Sequence, residues 1–212
     1  MQGSEADTAQ YDVYAPPRAH VADLATETAS TEFYVVSLRK FWLLFVATFG
    51  LYSYYWFYRH WARYRASHRE PLWPVPRAIF SIFFMHSLNR NVDDALRKAR
   101  LVHAWWPATS ATAFVVFSIA SAICSRLAGR IETLPWLDYA SIALLVPIGW
   151  TMAATQYAAN AACEDSRGAR NARMTKANLA WLVLGGLFWL AYLASLVLIS
   201  SPLAIDVDLP QR

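Results

Sequence analysis

The stretch ANLAWLVLGGLFWLAYLASLVLISSPLAI, residues 177–205, carries no Asp, Glu, Lys or Arg over 29 positions. A helix rises about 1.5 Å per residue and the hydrocarbon core of a bilayer is about 30 Å thick, so roughly 20 apolar residues cross it. Two further runs reach that length, 102–125 with 24 uncharged residues and 139–163 with 25. A buried helix of a soluble protein usually runs shorter and shows a polar stripe. Three spanning helices are therefore predicted, in an all-α membrane protein.

The composition points the same way. Hydrophobic residues make up 57% and charged residues 16%, with a mean hydropathy of +0.24, whereas soluble domains carry about a quarter charged residues. The net charge of +4 needs no nucleic acid to explain it, because cytoplasmic loops of membrane proteins collect Lys and Arg. Nine of the 19 bases lie in 59–100, and Arg167, Arg170, Arg173 and Lys176 lie in 164–176. Between the runs 102–125 and 139–163 there are only Arg126 and Arg130. This alternation places 59–100 and 164–176 in the cytoplasm, and 126–138 and the C-terminus in the periplasm. Residues 1–32 contain no apolar segment of the kind a secretory signal needs. The expected location is a bacterial cell inner membrane, crossed several times.

Phe41–Tyr58 is the ambiguous segment. Its 18 uncharged residues lie near the lower limit for a span and predict a fourth crossing, giving a bundle of four transmembrane helices. Both flanks are basic, however: Arg39 and Lys40 precede it, and Arg59, Arg63 and Arg65 follow. Gly50 divides the run into halves too short to cross. A re-entrant hairpin broken at Gly50 is the alternative, provided its backbone is buried in protein. Around this segment, residues 1–32 hold six acids against Arg18 and read as a disordered acidic tail. Residues 33–205 form a single helical membrane domain, and 206–212 a short C-terminal tail. In the long loop, Ala78–Met85 reads as interfacial. Asn91 with Asp94 is the expected N-cap of a cytoplasmic amphipathic helix, supported by Asp93–Arg97 and Asp94–Lys98 pairs.

Two sets of side chains are candidates for function. Arg59, Arg63, Arg65 and Arg69, interleaved with His60, Trp61 and Tyr64, suit the phosphates of anionic phospholipids at the rim of the bilayer. An ordinary positive-inside anchor has the same composition. Thr151, Thr155, Gln156 and Asn160 form a polar intramembrane face beside an expected bend at Pro147 and Gly149. Gln156 and Asn160 are four apart and share one side of a helix. Such amides usually join helices, and a polar cavity for small-solute permeation is the alternative. His60, His68, His86 and His103 have no metal-binding spacing, and no nucleophile triad or phosphate loop is present. No catalytic residue, metal or cofactor is expected. Cys124 and Cys163 fall at opposite ends of two spans, where no disulfide is expected. The expected partners are the lipid bilayer with its anionic phospholipids, and another membrane protein or a second copy of the chain, but no nucleic acid.

Thr48-Phe49-Gly50-Leu51-Tyr52, followed by Tyr55-Trp56-Phe57-Tyr58, resembles the T-x-G-x-Y-x-x-Y-W-x-Y pattern of the domain-of-unknown-function 4234 group of bacterial membrane proteins. About 30 residues carry the likeness, with a weaker one around Thr175–Gly186. Tyr14-Ala15-Pro16-Pro17-Arg18-Ala19 is similar to a cytoplasmic leader that precedes several proteobacterial membrane domains, which favours a tail on the inside. The resemblance implies a membrane location and assigns neither an activity nor functional residues.

Overall fold

The computed structural model describes residues 32–130 and 136–200, and among these the regular structure is entirely helical. Nearly all of the expected acidic tail and the whole of the C-terminal tail lie outside the described residues.

Three stretches are long and apolar enough to cross a membrane, Pro107–Ala128, Trp136–Ala162 and Lys176–Ser195. The first is α5, with Pro107 in its first turn, where the missing N–H is no loss. The second is divided into α6 (Trp136–Ala143) and α7 (Leu145–Ala162). Pro147 explains the division, because it cannot donate to the carbonyl four residues back, at Ala143, and its ring crowds that turn. The expected bend at Pro147 and Gly149 corresponds to an interruption at Leu144, one turn ahead of the proline. The third continues to Ser200 as α8.

Phe41–Tyr58 is not one helix. It is split between α1 (Leu38–Ala47) and α2 (Tyr52–His68), so the reading of it as a single fourth span does not hold. Phe49 at φ 50° and Gly50 at φ 82° reverse the chain, and only glycine takes such values without cost. Thr48 serves both helices, since its hydroxyl donates to the Leu44 carbonyl at 2.8 Å and accepts from the Tyr52 N–H at 2.9 Å. The hairpin closes through aromatic rings: Phe41 lies 6.0 Å from Tyr52 and 6.2 Å from Trp56. Its turn stacks Phe49 on Trp189 of α8 at 4.1 Å. Trp189 lies about 20 Å of helical rise beyond Lys176. Gly185 permits the approach, because a side chain there would run into the backbone carbonyl of Ala47.

Between α2 and α5 the chain forms α3 (Pro74–Ile79) and α4 (Ser81–Lys98). The expected helix start at Asn91 is overturned: Asn91 is interior to α4. The apolar stripe Met85, Leu88, Val92 and Leu96, all buried, extends the helix N-terminally by packing against α5 and α7, which outweighs a capping signal worth about 1 kcal/mol. Ala78–Met85 likewise straddles the break at Phe80 and enters α4. The Asp93–Arg97 pair forms, at 2.7 Å.

Candidate functional site

The most ordered polar cluster is built around a piece of chain that is not helical. Phe33, Tyr34 and Val36 are buried in non-helical backbone ahead of α1. Buried peptide groups outside a helix or sheet need partners from elsewhere. Here α7 and the loop that follows it supply several of them. The Gln156 amide nitrogen donates to the Tyr34 carbonyl at 2.9 Å. Asn160 grips Val36 on both sides, its nitrogen donating to the Val36 carbonyl at 2.9 Å and its oxygen accepting the Val36 N–H at 3.3 Å. Val35, which faces the other way, has its carbonyl bonded by Asn171 at 3.0 Å. The carbonyls of Tyr34 and Val36 are thus bonded from α7 and that of Val35 from Asn171.

The amides are also bonded to one another and to α2. Gln156 donates to Asn160 at 2.7 Å, while its oxygen accepts from the Trp56 indole at 2.5 Å and faces His60 Nε2 at 3.2 Å. Because that oxygen only accepts, Nε2 carries the imidazole proton and Nδ1 keeps the lone pair. Among the described residues Nδ1 has no partner and is buried, which costs less for a lone pair shielded by rings than for a stranded N–H. Thr155 joins α7 to α4 through Asn89 Oδ1 at 2.9 Å, and Asn89 donates to the Pro107 carbonyl at 2.9 Å. Thr151 is buried and donates to the Ile148 carbonyl of its own helix.

The expected polar face Thr151, Thr155, Gln156 and Asn160 is therefore a set of buried, bonded groups joining α7 to the 33–36 segment, α2 and α4. Gln156 and Asn160, four apart, do turn to one side, toward residues 34 and 36, whereas Thr155 turns to α4 and Thr151 bonds within its own helix; the spacing shows none of these partners. Asn171 and Asn89 carry no recognisable signal, and Trp56 and His60 stand out only for the aromatic motif and the arginine cluster, since these pairings span up to 137 positions.

The arginine set divides. Arg59 lies over the rings of Tyr34 and Tyr55 at 5.2 and 5.7 Å. Arg63 shares a cavity with it, and that cavity also receives Lys40 and Arg170. Arg65 and Arg69 are exposed outside that cavity. At the far end of α2, His68 pairs with Glu32 at 3.2 Å. Cys163 is buried with its thiol 3.8 Å from the Phe33 carbonyl. Among the described residues no group of three or more His, Cys, Asp and Glu side chains gathers to hold a metal. The chain matches no protein-family model, no curated protein and no solved structure.

Burial pushes the His60 imidazolium down to about 3 from an ordinary value of 6.5, with the Gln156 bond opposing the shift. Between these values the unfolded chain binds a proton that the folded chain does not, so stability rises with pH across this window and falls on acidification. The fall below pH 6.5 amounts to about 1.4 kcal/mol per unit, or about 2 kcal/mol at pH 5. Thermal unfolding of the detergent-solubilised protein between pH 7.5 and 5 is expected to show this loss, and His60→Gln to flatten it. An unchanged slope in the variant contradicts the assignment to His60.

Proposed function

We propose that this is a multi-pass protein of a cell inner membrane that works through contacts with lipids and other membrane proteins, and does not catalyse a reaction. The observation that carries this reading is the use made of the polar groups of α7. Thr155, Gln156 and Asn160 direct their hydrogen bonds to internal partners, as amides and hydroxyls do when they join helices in a membrane. A permeation path would instead need such groups turned toward a water-filled passage. Meanwhile the outer surface offers large apolar faces. On α8, Leu179, Trp181, Leu184, Leu187, Phe188 and Leu190 are all exposed, which suits acyl chains or a partner helix.

The orientation follows from charge and from which loops meet. Lys40 donates to Asn171 and to the Arg173 carbonyl, so the start of the hairpin and the basic 164–176 loop lie at one end of the molecule. Both belong in the cytoplasm by the positive-inside rule. The N-terminal tail then stays inside, α1 and α2 enter and leave on the same side as a re-entrant hairpin, and α5, α6–α7 and α8 make three crossings. Backbone that is neither helical nor paired is tolerated at such depth only within protein, and the turn at Thr48–Leu51 is bonded internally and braced by α8.

Alkaline phosphatase fused after Pro202 is expected to be active and fused after Arg170 inactive; the opposite pair of results contradicts the orientation. For the mode of action, liposomes reconstituted with the protein are expected to show no flux of small solutes. Flux that Gln156→Leu with Asn160→Leu abolishes, in protein that keeps its helicity, would overturn the contact reading in favour of permeation.

A further inference from the structure

At the end where the basic segments meet, α1, α2 and the 170–178 region enclose a cavity of about 320 Å³. Four bases line it, Lys40, Arg59, Arg63 and Arg170, and no lining residue is acidic. Arg170 is engaged by Asp165 at 3.4 Å. The other three have no ion-pair partner among the described residues. Lys40 is only 3% exposed. Its ammonium donates to Asn171 Oδ1 at 2.7 Å and to the Arg173 carbonyl at 2.9 Å, which leaves one of three donors unspent. A buried ammonium with only neutral partners is costly, and a bound anion offsets that cost. Arg59 is held at the wall by the faces of Tyr34 and Tyr55, a cation–π arrangement that fixes the guanidinium while leaving its N–H edge open to an acceptor.

The cavity does not end in water alone. Tyr55, Thr175 and Asn178 also belong to a second cavity of about 330 Å³, lined by Leu44, Leu51 and Trp181. Thr48, Leu51 and Trp181 in turn belong to a third, of about 350 Å³, that reaches Phe188 and Tyr192. Adjoining through these shared walls, the three are read as one groove, basic at one end and apolar along the rest, running beside α8 from Thr175, just ahead of it, to Tyr192, a helical rise of about 25 Å. A small anion accounts for the bases and leaves the groove unexplained, and a neutral hydrocarbon does the reverse. An amphiphile with a phosphate at one end accounts for both.

We propose that this groove holds one anionic phospholipid, its phosphate among Lys40, Arg59 and Arg63 and an acyl chain between the α1–α2 turn and α8. The proposal rests on the orientation given above, which puts the basic end at the cytoplasmic leaflet where anionic headgroups are available; the phosphatase fusions test that orientation independently. It narrows the expectation drawn from the four arginines, since Arg65 and Arg69 lie outside the cavity and serve as an internal control of equal charge.

The test is lipid retention by the full-length protein in detergent, read by native mass spectrometry. The lipids are phosphatidylglycerol and phosphatidylcholine of the same chain length, with inorganic phosphate as a competitor. The wild type is expected to retain one phosphatidylglycerol per chain, to discriminate against phosphatidylcholine, and to keep its lipid in millimolar phosphate. Arg59→Gln with Arg63→Gln should weaken retention about tenfold or more, in line with two lost charges at an anionic headgroup. Arg65→Gln with Arg69→Gln should change it by less than about twofold. Ala177→Trp, which fills the apolar part of the groove, should weaken lipid retention while leaving the bases in place. Helicity is checked for every variant, and if the paired Arg59 and Arg63 variant fails to fold, Arg63→Gln alone, at an exposed position, carries the comparison. The proposal is overturned by equal retention of the two lipids, by equal losses in the two arginine pairs, or by displacement of the lipid with free phosphate.

Discussion

A short non-helical run, Phe33–Val36, is largely buried among helices, and among the described residues no strand lies beside it to meet its peptide groups. Each buried peptide group left unpaired costs about 1–3 kcal/mol. The amides of Gln156, Asn160 and Asn171 bond the carbonyls of Tyr34, Val35 and Val36 and the Val36 N–H, and much of this end of the fold is arranged around them. The helix that carries Gln156 and Asn160 is thereby tied to α2 through Trp56 and His60. Asn171 also fixes Lys40 at the start of the hairpin, and Gly168, at φ 64°, lies against the Val36 backbone where a side chain would collide.

This constraint explains why the hairpin turns back. With residues 33–36 anchored at one end, α1 has ten residues, about 15 Å of rise, before Phe49 and Gly50 reverse the chain. The pattern Thr48-x-Gly50-x-Tyr52 then has a physical content in this chain. Thr48 bridges the two helices, Gly50 takes the left-handed conformation, and the Tyr52 hydroxyl meets that of Tyr34 at 3.4 Å. Trp56, within the same aromatic run, reaches Gln156. The motif that suggested a family is therefore a description of how a hairpin is closed and fastened to α7, and it names no reactive group.

The three candidate spans were legible because a missing charge is a local property that length rules can read. Pro147 is likewise a local signal, although the interruption falls at Leu144, one turn ahead of it. Phe41–Tyr58 reads as a fourth span because 18 uncharged residues fit one helix more simply than two; what favours the hairpin is the anchoring of 33–36 and the docking of Phe49 on Trp189, both distant in sequence. The α4 boundary was misjudged because the signal at Asn91 is local, whereas the stripe from Met85 to Leu96 is satisfied only once α5 and α7 are in place. For the arginines, spacing along α2 separates Arg59 and Arg63, four apart, from Arg65 and Arg69. That division gains meaning only when Lys40 arrives from α1 and the 170–178 region closes the cavity.

The clamp between α7 and residues 34–36 holds this end of the fold together, and residue-resolved amide hydrogen exchange at Val36 measures it. Its N–H, bonded to Asn160 and buried, is predicted to exchange slowly in the wild-type protein and at least about a hundredfold faster in Asn160→Leu, with the amides of α5 unchanged, as expected for loss of a local protecting bond. Rapid exchange at Val36 in the wild type, or protection that survives Asn160→Leu, would contradict it.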